Sequence, residues 1–215
     1  LKDQFITESR TIPSINRSLR IRKLEKCLRR EQRKLSRKVE ANMVDKVYVQ
    51  SGSKKGQLKS YKWVKHLSEC KNIQKQKLKV ARIHERLTRI RTDYNRKSLY
   101  SLVLERKPSS ITIEDLSVRN LMKNRHLSAA IMKAQWYQSR LYLENLCDRL
   151  GIELRVADKF YPSSKLCSTC GFKYQDLKLK ERFWTCSNCG SEHDRDRNAA
   201  INLEKCKNYT VLTAV

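Results

Sequence analysis

Helical periodicity dominates the first half of the chain. In residues 17–40, Ile21, Leu24 and Leu28 recur at helical spacing, and Arg and Lys fill most of the positions between them. Residues 72–105 carry a longer, heptad-like repeat, which runs through Val80, Ile83, Leu87, Ile90 and Tyr94. The simplest structure that these patterns predict is two long helices packed as an antiparallel hairpin with basic outer faces. Between them, residues 51–56 (SGSKKG) predict a flexible basic loop.

Short alternating segments predict strands on either side of this helical region. Residues 4–15 contain two β-type pieces around a polar turn. Residues 111–116 (ITIEDL) and residues 152–157 (IELRVA) alternate as two further strands, and a helix is predicted over residues 128–150 between them. Strand, helix and strand make a βαβ unit, so these two strands are expected to be parallel and the fold class is α/β. A final short helix is predicted to begin at Asn198.

The chain is strongly basic, with 48 Lys and Arg residues, 22 Asp and Glu residues and a net charge of +26. Residues 1–100 hold 29 of the basic and 9 of the acidic residues. A charge this large predicts a nucleic-acid partner. An anionic membrane surface is the rival partner. The sequence shows no long apolar span, signal peptide or amphipathic anchor that would favour it.

Two cysteine pairs have the spacing of a four-cysteine zinc site. Cys167 and Cys170 form the first C-x-x-C, Cys186 and Cys189 form the second, and fifteen residues separate the pairs. A glycine follows each pair and allows the backbone to turn its amides toward the sulfurs. Four thiolates satisfy a tetrahedral Zn²⁺ with no open position, so a structural zinc ribbon is predicted rather than a redox site.

Acidic side chains predict a second metal site. Glu114 lies at the C-terminal end of the first parallel strand, where sites of α/β sheets form. Asp194 and Asp196 belong to the run DRDRNAA, directly behind the second cysteine pair. Mg²⁺ prefers oxygen ligands from a few carboxylates together with water and phosphate oxygens. In a chain this basic, a cation that bridges carboxylates to phosphate is the best explanation for them.

Several segments together resemble one family. Residues 113–118 (IEDLSV), 122–127 (MKNRHL) and 161–165 (YPSSK), the two cysteine pairs and residues 194–200 (DRDRNAA) are similar to the C-terminal half of TnpB. TnpB is the OrfB transposase protein of insertion-sequence transposons and is related to the type V CRISPR effectors. The segment QKLKVARIHERL within the second predicted helix also resembles the family.

The resemblance implies an RNase H-like (RuvC) core with a long helical-hairpin insertion and an inserted zinc ribbon. It also implies a metal-dependent, RNA-guided DNA endonuclease of a prokaryotic cytoplasm, associated with the nucleoid. Glu114 matches the second catalytic acid of the family and Asp196 the third, with Asp194 as the alternative. These residues would bind Mg²⁺ or Mn²⁺, while Cys167, Cys170, Cys186 and Cys189 would bind Zn²⁺. DNA and a guide RNA are the implied partners.

The resemblance divides the chain into five expected segments. They are the remnant of a RuvC β-hairpin (1–16), the basic helical hairpin (17–105), a RuvC-like βαβ core (106–160), the zinc ribbon (161–193) and the final acidic motif with a C-terminal helix (194–215). The first catalytic aspartate of the family lies in a Gly-Ile-Asp-x-Gly strand. Residues 1–5 (LKDQF) resemble the sequence directly after that strand. We therefore expect an N-terminally truncated form that lacks its first strand and is inactive alone.

Three functions remain open at this point. The first is a nuclease domain that is complete only in a longer protein. The second is a non-catalytic nucleic-acid-binding remnant, which the basic first half favours. The third is a zinc-ribbon module that contacts protein, for which residues 160–193 would fold and bind alone. The ribbon is embedded between a strand and the acidic motif, as a support would be, so the third function ranks last.

Overall fold

The computed structural model describes residues 3–178 and 180–212. Two compact units are present. We call Ser18–Ile90 the helical unit, and Leu1–Arg17 together with Arg91–Val215 the sheet unit. The boundaries of these two units differ from the boundaries of the five segments expected from the sequence. Among the described residues, no helix combines the length and the apolar character that crossing a membrane requires.

Helix α1 (Leu19–Ala41) opens the helical unit. The Ser18 hydroxyl caps it by accepting a hydrogen bond from the Ile21 amide, a role that serine fills well at this position. Ile21 and Leu28 are buried, so one apolar stripe of α1 faces the interior. The bounds of α1 lie within two residues of the predicted helix.

Helix α2 (Lys71–Arg106) is the longest helix described, and the sequence predicted it within one residue at each end. Its first half runs antiparallel to α1. The Lys38 ammonium donates to the Asn72 carbonyl near one end of the pair, and the Gln32 amide and the His84 ring lie 3.3 Å apart farther along. The predicted antiparallel helical hairpin is therefore confirmed within the helical unit.

A β-hairpin stands between these helices where the sequence predicted only a loop. Strands β3 (Met43–Tyr48) and β4 (Leu58–Trp63) pair antiparallel with two register shifts. The predicted loop at 51–56 is the turn of this hairpin, and Gly52 and Gly56 adopt positive φ there. The prediction missed the strands because no residue of either strand is buried, so no alternation of apolar and polar residues marks them.

The sheet unit begins with strands β1 (Asp3–Ile6) and β2 (Thr11–Pro13), which pair antiparallel as expected. Its main sheet has the order β5-β6-β9. Strand β5 (Ser110–Ile113) is parallel to β6 (Glu153–Ala157), which confirms the predicted βαβ unit. Strand β9 (Tyr209–Leu212) pairs antiparallel with β6 and was not expected from the sequence, which predicted only a short helix that begins at Asn198.

The crossover between β5 and β6 contains three helices, described as α3 (Val118–Leu121), α4 (Ser128–Ala134) and α5 (Trp136–Leu150). The predicted continuous helix over residues 128–150 is wrong at Gln135, which adopts a left-handed conformation with φ 56°. The freed Ala134 carbonyl accepts hydrogen bonds from the amide side chains of Gln4 and Asn95, at 2.7 and 3.0 Å. These partners compensate the break in the helical ladder.

Apolar side chains from α2, α5 and the sheet form the core of the sheet unit. Its buried members are Leu99, Val103, Leu143, Leu146, Cys147 and Leu154. Beyond the sheet, strands β7 (Phe183–Thr185) and β8 (Glu192–Asp194) pair antiparallel, and helix α6 (Arg195–Glu204) follows directly. Helix α6 lies against β5, so the residues after both elements belong to one region of the unit.

Candidate functional site

The two cysteine pairs form matching turns. The Gly171 amide donates to the Cys167 carbonyl and the Gly190 amide donates to the Cys186 carbonyl, each at 2.8 Å. Both glycines adopt positive φ, 76° and 73°, which a residue with a Cβ reaches only with strain. The glycine after each pair therefore has the role that the sequence suggested.

The four sulfurs gather as metal ligands do. The ligand atoms of Cys167, Cys170, Cys186 and Cys189 all lie within 4.8 Å of one another. The Cys167–Cys189 and Cys170–Cys186 sulfur pairs are both 3.7 Å apart. Tetrahedral Zn²⁺ with Zn–S bonds of about 2.3 Å separates its sulfurs by about 3.8 Å, so the set is compatible with structural zinc.

Aromatic side chains pack beside the sulfurs. Trp184 of β7 is buried with Cys167, Cys186 and Leu177. Its ring stacks on Tyr174 at 5.7 Å between centroids and contacts the His193 ring at 4.8 Å. This small core holds both turns in place from one side.

Hydrogen bonds give the thiols unequal pKa values. Burial alone would raise the pKa of Cys167, but hydrogen bonds from Ser191, from backbone amides and from His193 outweigh it and lower that pKa to about 5. The hydroxyl of Ser191 also lowers the pKa of Cys189. Burial raises the pKa of Cys186 to about 11. The low pKa of Cys167 favours its thiolate, whereas a metal must displace the proton of Cys186.

Glu114 directly follows β5, at the C-terminal end of the parallel strand, as the sequence predicted. Its carboxylate accepts a hydrogen bond of 2.7 Å from the Ser163 hydroxyl. Ser163 is buried, and its carbonyl accepts a hydrogen bond of 2.8 Å from the Asn202 side chain on α6. Glu114 is therefore connected to α6 through one intermediate residue.

Asp194 and Asp196 have different roles at the start of α6. Asp194 is the N-cap, and its carboxylate accepts hydrogen bonds from the amides of Asp196 and Arg197 at 3.0 and 2.9 Å. Asp196 lies in the first turn, and its carboxylate forms an ion pair with Arg182. Backbone amides of this turn occupy the Asp194 carboxylate. The Asp196 carboxylate accepts no hydrogen bond from them, so it is the better candidate for a metal ligand.

Two buried asparagines fasten α6 to the segment before the first cysteine pair. The Asn198 and Asn202 side chains both donate to the Leu166 carbonyl at 2.7 Å. The side-chain oxygen of Asn198 also accepts a hydrogen bond of 2.9 Å from the Ser168 amide. The same residues thus support the cysteine cluster and the acidic end of α6. Neither asparagine received a role from the sequence, although Asn198 lies in the DRDRNAA run.

Within residues 3–178 and 180–212, the four cysteines are the one set of three or more Cys, His, Asp and Glu side chains whose ligand atoms gather closely enough for a metal ion. Glu114 and Asp196 belong to no such set. The structure brings the elements that carry these two acids together, and each acid has a protein partner of its own. Their assignment as magnesium ligands remains a prediction.

The helical unit carries a separate basic surface on α1. Lys23, Lys26, Arg30 and Arg33 are exposed and follow one another at helical spacing. They lie on the side of α1 opposite to the buried Ile21 and Leu28. We call these four residues the basic stripe. A row of cations at this spacing can contact successive phosphates of a nucleic acid.

A family model described as Cas12f1-like, TNB domain matches residues 136–203. The matched residues include helix α5, strand β6, both cysteine pairs and most of helix α6.

Curated relatives match a larger part of the chain. A Streptomyces pristinaespiralis protein named as a candidate RNA-guided DNA endonuclease is 48% identical over 132 residues, which are 61% of this chain and 32% of that protein. A similarly named Mycobacterium tuberculosis protein is 31% identical over 134 residues, which are 59% of this chain and 28% of that protein. The chain thus spans about a third of the length of the curated relatives it matches.

A solved structure shows the same fold over most of the chain. The cryo-EM structure of a CRISPR-Cas12f ternary complex aligns with a TM-score of 0.56 at 20% identity, and it covers 93% of this chain and 35% of that one. The mixed α/β architecture of this chain is therefore similar to part of Cas12f.

Proposed function

Because this chain belongs to the TnpB-like family, we propose that it acts on nucleic acid as the metal-dependent cleavage part of an RNA-guided DNA endonuclease. DNA and a guide RNA are the proposed partners, since the relatives are named for RNA-guided action on DNA. The observation that carries the proposal is the connection from Glu114 through Ser163 to α6, the helix that carries Asp196 in its first turn.

The proposed catalytic fold is an RNase H-like core. The parallel pair β5-β6 with antiparallel β9 supports it, because a parallel strand end presents Glu114 at an edge where α6 also lies. The segment boundaries expected from the sequence, with a helical insertion at 17–105 and a ribbon at 161–193, remain part of this proposal.

Glu114 and Asp196 are the proposed ligands of a divalent cation. When bound, Mg²⁺ or Mn²⁺ would activate water and stabilise the leaving oxygen of a phosphodiester. Ser163 orients the Glu114 carboxylate by its hydrogen bond, and Asp194 fixes the start of α6 so that Asp196 is held in the first turn. The ion pair between Asp196 and Arg182 must open before this carboxylate binds a cation.

The four cysteines are proposed to hold a structural Zn²⁺. Their sulfur spacing fits a closed tetrahedral site, and Asn198 and Asn202 connect their turn region to α6. Zinc would thereby stabilise the loop that also carries Ser163, and with it the position of Glu114.

Cleavage by a segment-swapped protein tests the proposal. Residues 110–212 of this chain replace the corresponding segment of the Streptomyces pristinaespiralis relative, and DNA cleavage is measured with guide RNA in Mg²⁺. Glu114→Gln and Asp196→Asn should each lower the cleavage rate by more than about a hundredfold, because each removes a charged metal ligand.

Asp194→Asn is the matched control. Asparagine caps a helix about as well as aspartate, so this change keeps α6 and should keep cleavage within about threefold. If Asp194→Asn abolishes cleavage while Asp196→Asn spares it, Asp194 is the ligand and our choice between the two acids is wrong.

A non-catalytic nucleic-acid-binding function is the second candidate. The engagement of Asp196 by Arg182 favours it, since that ion pair occupies the proposed ligand. In this case the swapped protein binds DNA with a steep salt dependence but does not cleave it, while the unswapped relative does.

A further inference from the structure

The hairpin of β3 and β4 carries an aromatic pair, of which Tyr61 is exposed and Trp63 is half-buried. No residue of either strand is buried, so both faces of the hairpin meet solvent. On β4, the Tyr61 and Trp63 rings lie 5.4 Å apart at an angle of 40°. Tyr61 is 41% exposed, and Tyr48 at the far end of β3 is 50% exposed. Isolated two-stranded hairpins are marginally stable, so this exposure of large rings has a cost unless a partner uses them.

Lysines surround the aromatic pair on the same face. Lys46 is the direct cross-strand neighbour of Tyr61, and Lys59 lies two positions before Tyr61 on β4. Residues 43–65 contain six lysines and one acidic residue, so this segment carries a net charge of +5. Rings flanked by cations on one face fit flat, anionic ligands.

The hairpin has a firm base that can present these rings. The Asn42 carbonyl accepts from the Val64 amide at 2.9 Å, and the Asn42 side chain exchanges two hydrogen bonds with the backbone of Lys65 at 2.7 and 3.2 Å. At the other end, Val49 is hydrogen bonded to Gln57 and Gly56 at 2.9 Å each. Both ends of the ladder are thus closed by backbone hydrogen bonds.

We propose that Tyr61 and Trp63 form a stacking platform for unpaired bases of a single-stranded nucleic acid, whose phosphates contact Lys46 and Lys59. Every base has a π face, so stacking on aromatic side chains tolerates any sequence but requires that the base be unstacked from its neighbours. Duplex DNA does not offer such bases. An anionic membrane is disfavoured because lysines also occupy the opposite face, where Lys62 pairs with Asp45.

The platform adds a binding site to the proposed function. It rests on that function only in taking nucleic acid as the class of partner. It lies in the helical unit and uses none of the residues proposed for cleavage. Single-strand binding measured without a divalent cation therefore tests the platform alone, whereas cleavage tests the nuclease proposal, so the two can fail separately.

Fluorescence anisotropy of the whole zinc-loaded chain tests the platform. The probes are a 20-nucleotide oligothymidylate, the same length of duplex DNA, and vesicles with about 30% phosphatidylserine. Tyr61→Ala and Trp63→Ala should each weaken oligothymidylate binding by about tenfold, since a stacked base contributes about five- to hundredfold to affinity. Binding to the duplex should change by less than about twofold.

Conservative and distant variants are the controls. Tyr61→Phe and Trp63→Phe keep a ring and should retain single-strand affinity within about threefold. Tyr100→Ala removes an exposed ring elsewhere in the chain and should have no effect. Equal losses for single strand and duplex, no loss in either alanine variant, or binding to the vesicles alone would overturn the platform.

A cross-linking measurement on the unmodified protein covers the case in which an alanine variant unfolds the hairpin. A bromodeoxyuridine-substituted single strand should cross-link on irradiation within residues 60–65, and the duplex should not. Absence of a cross-link in these residues contradicts the proposal, whatever the variants show.

Discussion

The helical unit and the sheet unit differ in how many charged residues they carry and in where those residues lie. The helical unit holds 23 basic and 6 acidic residues in Ser18–Ile90, while the sheet unit holds 25 and 16 in about twice the length. The excess in the helical unit lies largely on exposed helix and hairpin surfaces. In the sheet unit, acids lie at the ends of a strand and a helix, where hydrogen bonds orient them.

The difference teaches that a net charge and a chemical site have separate structural origins. A binding surface for phosphate needs only cations at regular spacing, which a helix supplies by its periodicity. A metal site needs a few groups from distant parts of the chain, fixed by buried polar contacts. Buried asparagines such as Asn198 and Asn202 supply those contacts in the sheet unit.

The largest difference between the two units should appear when zinc is removed, as a change in protection from hydrogen exchange. Chelation, or Cys186→Ser, should remove protection from hydrogen exchange in residues 163–194, because metal binding and folding are coupled at such sites by about 10 kcal/mol or more. Protection in α1 and in the first half of α2 should stay the same. The control is Cys27→Ser, which changes a cysteine of the helical unit that has no ligand spacing. Unchanged protection of 163–194 after chelation would rule out structural zinc.

The basic stripe should account for the largest share of duplex affinity. Changing Lys23, Lys26, Arg30 and Arg33 together to glutamine should weaken duplex binding at low salt by about a hundredfold. The slope of log affinity against log salt should become less steep by about three.

A charge-matched set in the sheet unit controls for net charge alone. Its members are Arg119, Lys123, Arg125 and Lys159, all exposed and changed to glutamine. Equal losses in the two sets would mean that net charge, rather than the stripe, determines binding, and the contrast between the units would then disappear.

Asn202→Ala should destabilise the sheet unit by about 2 kcal/mol, because it leaves the Ser163 carbonyl without its buried donor and removes one of the two donors to the Leu166 carbonyl. Urea unfolding measures the change. Asn145→Ala, which removes a bond to a carbonyl within the exposed surface of α5, should cost less than about 1 kcal/mol. If the two variants lose the same free energy of unfolding, the connection between Glu114 and α6 does not stabilise the sheet unit.

The smallest effect concerns a buried acid of the helical unit. The Gln76 amide, Lys34 and Lys79 bond the Glu31 carboxylate and lower its pKa from 4.5 to about 2, against the effect of burial. A lowered folded-state pKa adds stability above the unfolded pKa and loses it as the pH falls toward the folded value. The helical unit should therefore lose a few degrees of melting temperature between about pH 4.5 and 2.

Glu31→Gln should abolish that pH dependence, since the amide does not titrate. The exposed Glu40→Gln should leave it intact. Melting followed by circular dichroism between pH 5 and 2 compares the three proteins. A wild-type protein whose helical unit keeps its melting temperature across this range would contradict the pairing of Glu31.

Residue spacing over short stretches of the sequence predicted the two long helices and the cysteine cluster. The spacing of Ile21 and Leu28, and of Val80 to Leu87, located α1 and α2 within two residues. The spacing of the cysteines identified a set that the structure brings within 4.8 Å. Both signals are repeated along the sequence, so neighbouring positions support each other.

Several features that depend on distant partners were not predicted. The break at Gln135 is compensated by Gln4, which donates to the Ala134 carbonyl from 130 residues away in the sequence. Strand β9 has four residues and forms only because β6 offers it an edge. The bond between Ser163 and Glu114 spans 49 residues, and nothing in the sequence around Ser163 indicated that it would orient the predicted ligand Glu114.

Manganese binding to the zinc-loaded chain tests most directly whether Glu114 and Asp196 form one site. Mn²⁺ broadens the nuclear magnetic resonance signals of amides near its site. We predict that the amides beside Glu114 and those beside Asp196 broaden together at the same Mn²⁺ concentration, and that Glu114→Gln removes both effects. Broadening at only one of the two positions, or broadening near Asp196 that persists in Glu114→Gln, would contradict the account.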